Sequence, residues 1–152
     1  MARRTEAAVK WVTRSLVHVD RVACPWLILR FVDSEAEFIF APKSMIDEVA
    51  KRENAIPFDA PGVELGHHDG KCSFEAIIKK YGLNDPALLR LARVVHAADT
   101  NEMDDDPLAR GFEAVAVGYS LRFPDDQENL VRQFEMYDSL YAWCRLEAAK
   151  EK

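Results

Sequence analysis

Cysteine is scarce in this sequence, and no long apolar run interrupts it. The 152 residues include three cysteines, Cys24, Cys72 and Cys144, which form neither a CxxC pair nor a disulfide framework. Unpaired cysteines persist in reducing compartments, so we expect a cytoplasmic protein. No stretch approaches the roughly 18 consecutive apolar residues that a transmembrane helix needs, so we expect no membrane contact.

Positive charge is also in short supply. Lysine and arginine number 20 against 26 acidic residues, and the net charge is -6 at pH 7. Proteins that bind nucleic acid through its phosphates usually carry a basic excess. The sequence therefore predicts no direct nucleic-acid partner.

What is present is the composition of one globular domain. Hydrophobic residues make up 49% of the chain and charged residues 30%, and a chain of this length normally forms one domain, here residues 1–152. Short strand patterns come first, and helical patterns dominate the second half. We therefore predict an α+β fold, in which a small β-sheet of short strands packs against about six helices and the C-terminal half is helix-rich.

Turn and capping residues set the predicted element boundaries. Pro25 is expected to open the first helix, and Ser44, Ser73 and Asp85 are expected to cap the next three. The predicted strands are residues 8–14, 37–41, 56–58 and 63–65, with a loop over 15–23. The predicted helices are residues 25–32, 45–53, 74–81, 86–98, 107–121 and 126–148.

Three of the four histidines fall in two segments that could share a metal site. His96 and Asp99 lie one turn apart on one face of the fourth predicted helix. A glycine-rich turn after Glu64 carries His67 and His68, and glycine lets such a turn bend toward a common point. Imidazole nitrogens and carboxylate oxygens suit a divalent ion such as Zn, Mn or Fe.

The residues alone leave the ligand set open. A regular strand over 63–68 would put Glu64 and His68 on one face, whereas a turn at Gly66 would free His67 instead. An interpretation without metal is also available. In it, His96 stabilises the C-terminus of its helix, and the other residues are ordinary loop and surface groups.

Two arginines and one cysteine offer further chemistry. Arg14 and Arg21 could bind an oxyanion as a pair, or could instead form salt bridges to Asp20 or Asp33. Cys24 precedes the predicted helix start, where its thiol pKa would fall and a redox or nucleophilic role would become available. The alternative is a buried structural cysteine.

Several segments together resemble one family, the chromate resistance domain found at the C-terminus of ChrB proteins. The match extends from about residue 10 to 145 and is specific as a set. The segments that carry the resemblance are residues 11–14 (WVTR), 19–28 (VDRVACPWLI), 57–59 (PFD), 61–64 (PGVE), 72–75 (CSFE), 98–100 (ADT), 137–138 (YD) and 140–145 (LYAWCR).

The resemblance implies a role in bacterial chromate resistance and favours His67 over His68. In that family the position of His67 is a histidine, whereas the position of His96 varies among members. ChrB proteins proper resemble transcriptional regulators with an extra N-terminal region. We expect that region to be absent here, so direct DNA binding by this chain is not expected.

The resulting hypothesis is a metal-binding domain that handles or senses chromate or a related oxyanion. Metal-dependent catalysis, a non-catalytic sensor that acts through a protein partner, and a thiol-based reductase that uses Cys24 are the alternatives. Homo-oligomerisation stays open. The predicted metal ligands are Glu64, His67, His96 and Asp99, and the predicted oxyanion ligands are Arg14 and Arg21.

Overall fold

The fold is α+β, as the sequence predicts. The computed structural model describes residues 9–16 and 19–150, so residue 8 of the first predicted strand lies outside this part. The strands are β1 (Lys10–Arg14), β2 (Glu37–Ala41) and β3 (Ala55–Pro57). The helices are α1 (Val19–Leu27), α2 (Ile46–Glu53), α3 (Ser73–Lys80), α4 (Pro86–Asp99), α5 (Ala109–Arg122) and α6 (Asp126–Lys150).

The three strands form a parallel sheet in the order β2-β1-β3. Arg14 pairs with Ala41 of β2, and Val12 pairs with Pro57 of β3. Helices α1 and α2 connect the strands, as parallel pairing requires. All three carboxyl ends therefore meet at one edge, which places Arg14 beside the loop that follows β3.

The two faces of the sheet are covered by different elements. Trp11 and Val12 are both buried and point to opposite faces, because side chains alternate along a strand. Trp11 belongs to the main core, which includes residues of α1 and of α3 to α6. Val12 joins a smaller core with Ile46 and Val49 of α2. Among the described helices, none has the length and apolar character that crossing a bilayer requires.

The first helix begins earlier than predicted, and Pro25 lies inside it. The predicted loop over 15–23 is wrong from Val19 onward, because α1 starts there. Proline has no N–H and breaks the regular helical ladder. Downstream of Pro25 the chain continues as a π-helical turn, Ile28–Val32. The Asp33 N–H donates a hydrogen bond to the Ile28 carbonyl at 2.7 Å and closes this turn.

Two predicted caps are wrong, and one is confirmed. Ser44 falls in a 3₁₀ turn, Lys43–Met45, and α2 begins after Met45 without a side-chain cap. Ser73 is the first residue of α3, whose cap is Cys72. Asp85 caps α4 by accepting the N–H of Ala87 at 2.9 Å. The predicted strand over 63–65 is reduced to one bridge, between Leu65 and Phe58.

Candidate functional site

Asp59 is the central residue of the candidate site. It follows β3 at the carboxyl edge of the sheet, and only 4% of it is exposed. Its φ of 45° is left-handed, a conformation that aspartate tolerates better than most residues. The Phe58 N–H donates to Val12 at 3.0 Å, and the Asp59 N–H donates to Leu65 at 2.9 Å. These bonds fix the carboxylate beside the end of β1.

The loop after Asp59 returns closely enough to bring His67 to it. A Cβ on Gly66 would lie 2.8 Å from the Ala60 carbonyl oxygen, so the loop closes this tightly only with glycine. The next residue, His67, has its Nε2 at 2.8 Å from Asp99 Oδ2 and at 3.4 Å from Asp59 Oδ1. One imidazole nitrogen thus faces two carboxylates, of which one ends α4 and the other follows β3.

The two oxygens of Asp59 have different neighbours. Oδ1 accepts a hydrogen bond from Ser73 Oγ at 3.0 Å and faces His67. Oδ2 lies 3.5 Å from both Arg14 Nη2 and Arg21 Nε. Burial would raise the pKa of Asp59, but the hydrogen bonds from His67 and Ser73 and the two arginine charges outweigh it and lower the pKa.

Both arginines are held by hydrogen bonds, and Arg14 also lines an open cavity. Arg14 Nε donates to the Asp59 carbonyl at 3.0 Å, and Arg21 Nη1 donates to the Ser15 carbonyl at 2.8 Å. Burial and the neighbouring Arg14 lower the pKa of Arg21, while Asp59 opposes the shift. A cavity of about 210 Å³ is lined by Arg14, Asp59 and His67, among others. An anion in this cavity would meet both a guanidinium and the edge of the carboxylate–imidazole group.

Asp59, His67 and Asp99 together offer three ligand atoms to a metal ion. One ligand atom from each lies within 4.8 Å of the other two. Two carboxylate oxygens and one imidazole nitrogen suit Zn, Mn or Fe.

A second group, of Cys72, Glu75 and His96, lies between α3 and α4. His96 Nδ1 is 2.6 Å from Glu75 Oε1, and the same oxygen accepts the Cys72 N–H at 3.0 Å. His96 Nε2 is 3.2 Å from Glu102 Oε2. Burial would lower the pKa of His96, but the two glutamates outweigh it and raise the pKa.

The four predicted metal ligands do not come together. His67 and Asp99 share the first group, whereas His96 belongs to the second. Glu64 belongs to neither: both its oxygens lie 3.1 Å from Lys80 Nζ, and its side chain is 73% exposed. A helix rises about 4.5 Å between residues i and i+3, so two side chains on one face can meet different neighbours.

The other predicted residues are placed as follows. Arg14 and Arg21 do come together, at the carboxylate of Asp59. His68 turns away, with its Nε2 at 2.7 Å from the Val63 carbonyl. Cys24 is fully buried in the interior of α1, away from a helix N-terminus.

Asp59 and Glu75 are the residues that sequence reasoning missed. The signal for Asp59 was its place just after a short strand, since the carboxyl ends of parallel strands share an edge. The signal for Glu75 was its spacing from Cys72, which is that of a capping box. Serine is the usual capping residue and stands next to the cysteine, so the sequence pattern favours Ser73 as the cap instead.

Comparisons with known proteins agree with the motifs. The family described as ChrB, C-terminal domain matches residues 11–144. Protein ChrB of Cupriavidus metallidurans is 37% identical over 136 residues, which cover 87% of this chain and 40% of that protein. The chain thus spans less than half the length of this relative. No solved structure matches the chain significantly. By both the family match and this identity, the chain belongs to the ChrB C-terminal domain family, the chromate resistance family that its motifs resemble.

Proposed function

We propose that this domain binds chromate, or a related tetrahedral oxyanion, with the help of a divalent metal ion. Asp59, His67 and Asp99 hold the ion, and Arg14 and Arg21 orient the anion. The observation that carries the proposal is the double role of one buried carboxylate. Asp59 directs one oxygen to the histidine and the other to the arginine pair. The metal group and the anion group are therefore contiguous.

The charge balance of the site supports an ion pair as its ligand. The charges of the two aspartates and the two arginines sum to zero when His67 is neutral. A histidine must be neutral to bind a metal ion. A divalent cation then adds two positive charges, which match the two negative charges of chromate. Guanidinium groups present paired donors that suit oxyanions. Because the whole chain is acidic, this local positive charge is what would draw the anion in.

Binding without turnover is the form of the proposal that the side chains favour. Reduction of chromate needs electrons, and thiols are the electron donors that a protein chain itself most readily supplies. Cys24, Cys72 and Cys144 are all buried, and none of them lines the cavity beside Arg14, Asp59 and His67. We therefore propose a chromate-binding sensor, in the cytoplasm, where free thiols persist. Its response passes to a protein partner.

The test is chromate binding by the purified chain, measured by equilibrium dialysis. Zn²⁺ is the appropriate ion, because it has no redox chemistry, whereas Fe²⁺ would itself reduce chromate. We expect saturable chromate binding that is at least about tenfold tighter with Zn²⁺ than after chelation, since second-site cooperativity of this kind typically spans 5–150-fold. Chromate that remains unreduced throughout confirms binding without turnover.

Variants assign the roles. Asp99→Asn and His67→Gln should lose the ion at this site, measured by elemental analysis, and the zinc-dependent part of chromate binding. Arg14→Gln should weaken chromate binding and retain the ion. Glu64→Gln is the matched control, because this carboxylate is exposed and bound to Lys80. Wild-type chromate binding in both His67→Gln and Arg14→Gln would refute the proposal.

A further inference from the structure

The group between α3 and α4 differs in chemistry from the proposed oxyanion site. It combines a sulfur, an oxygen and a nitrogen ligand, from Cys72, Glu75 and His96, and these atoms lie within 4.8 Å of one another. The cysteine is fully buried, while the side chains of Glu75 and His96 are 22% and 21% exposed. The soft ligand thus lies in the core, and the two polar ligands lie nearer the surface.

The backbone fixes the first two ligands. Cys72 is the N-cap of α3, and Glu75 reaches back to its N–H in a capping box. The Cys72 side chain in turn accepts the backbone N–H of Glu75. A helix N-terminus favours the thiolate form of a cysteine, burial in the core opposes it, and a bound metal displaces the thiol proton. Thiolate is the form that binds metal.

The third ligand is oriented by a carboxylate on its far side. His96 Nδ1 faces Glu75 at 2.6 Å, and Nε2 faces Glu102 at 3.2 Å. When a histidine binds metal through one nitrogen, the other N–H is usually donated to a carboxylate or carbonyl, which fixes the tautomer. Glu102 stands where such an acceptor is needed, and Nδ1 is then the nitrogen available to a metal.

From this arrangement we infer that Cys72, Glu75 and His96 form a second metal site, for a thiophilic divalent cation of the zinc type. Tetrahedral zinc at its usual bond lengths separates a nitrogen from an oxygen ligand by about 3.4 Å and from a sulfur by about 3.6 Å. The Nδ1–Oε1 gap would widen from 2.6 Å to the first of these values as the metal replaces the bridging hydrogen. The displaced protons leave to solvent, and water completes the coordination.

A cavity of about 400 Å³ adjoins the group at Glu75, the one of its three ligands that lines this cavity. It is lined by Glu75, Lys71 and Lys79, among others, and lies on the α3 side of the group. The site does not depend on the oxyanion proposal, because it shares no ligand with Asp59, His67 and Asp99. Occupation of it would tie the start of α3 to the end of α4.

Cobalt substitution tests the inference directly. Metal-free protein is titrated with Co²⁺, and bound metal and the absorption spectrum are measured together. A thiolate ligand gives an intense sulfur-to-cobalt charge-transfer band, which oxygen and nitrogen ligands do not give. We expect this band in the wild type, its loss on addition of Zn²⁺, and its absence in Cys72→Ser. Cys144→Ser, which changes another fully buried cysteine, should keep it.

Two further variants serve if Cys72→Ser fails to fold. His96→Gln should weaken cobalt binding at the band-forming site, and Glu102→Gln should do so by about tenfold, the lower end of what an outer-shell partner contributes. The absence of the band in the wild type, or an unchanged band and affinity in His96→Gln, overturns the inference. Asp99→Asn distinguishes the two proposals, because it should remove the other ion and leave the band intact.

Discussion

The substitution Asp59→Asn isolates the charge at the centre of the site. Asparagine keeps an oxygen that can accept the Ser73 hydroxyl, and it tolerates the left-handed φ of 45° about as well as aspartate. What is lost is the negative charge opposite Arg14 and Arg21. Stability after this change therefore reports the buried ion pairs rather than the backbone.

The expected cost follows from burial. Removal of one partner of a buried ion pair typically costs about 3–5 kcal/mol. Asp59 is 4% exposed, but the side chains of Arg14 and Arg21 are 32% and 18% exposed. Partly solvated arginines can form hydrogen bonds with water instead, so we expect a loss of stability at the lower end of that range, about 3 kcal/mol. Asp59→Ala also loses the Ser73 hydrogen bond and strains the left-handed backbone, which adds about 1 kcal/mol for each.

Urea denaturation in the presence of a chelator gives these free energies without a contribution from bound metal. Asp69→Asn is the matched control, because Asp69 has a similar φ of 53° and an exposed side chain. It should change the free energy of unfolding by no more than about 0.5 kcal/mol. An Asp59→Asn protein as stable as this control would refute the view that Asp59 anchors the arginine pair.

Four further outcomes can be measured. Asp85→Ala removes the cap of α4 and the acceptor of the Tyr141 hydroxyl, so urea denaturation should show a loss of about 1–2 kcal/mol, whereas Asn84→Ala should show almost none. Burial and Asp85 raise the pKa of Tyr141 from 10.0 to about 12. An ultraviolet titration should therefore show one tyrosine that deprotonates at higher pH than the others, and Tyr141→Phe should remove this step. The stability linked to this shift is complete below the unfolded pKa near 10 and is lost as the pH rises toward 12. Burial raises the pKa of the Cys144 thiol to about 11, so a thiol reagent should label it only after unfolding. Cys24→Ser should leave chromate binding unchanged in equilibrium dialysis, and a loss of binding with a native circular dichroism spectrum would favour the thiol hypothesis.

The sequence predicts best those helices and strands whose ends are set by residues next to them in the chain. The strand at 37–41 has the predicted bounds, and the Asp85–Pro86 cap marks the start of α4 as predicted. The start of the first helix is predicted wrongly at Pro25, because proline is favoured in a first helical turn and disfavoured in the interior of a helix. Here tertiary burial overrides that preference, since Cys24, Trp26 and Leu27 around it are almost wholly buried. A sequence pattern cannot weigh that burial before the core is known.

The site was harder to predict than the fold, because its residues are distant in sequence. His67 and Asp99 were singled out, and they do share a group. Their third neighbour, Asp59, approaches only through the parallel pairing of β1 with β3 and the close return of the loop at Gly66. The parallel direction was not predicted, so the shared edge of the strands could not be used. Glu64 shows the converse, since it lies only three residues before His67 and yet directs both its oxygens to Lys80 Nζ at 3.1 Å.

Helices α3 and α4 determine how the two metal-ligand groups are related. Ser73 and Asp99 serve the first group, while Cys72 and His96 serve the second. Residues close along the chain thus contribute to different groups: His96 and Asp99 lie about 4.5 Å apart along α4, and Cys72 caps α3 while Ser73 is its first residue. A displacement of α3 against α4 must disturb both groups at once. Since α4 also packs against α1, α5 and α6, it is the element through which occupation of either group would reach the rest of the domain, as a sensor that binds without turnover requires.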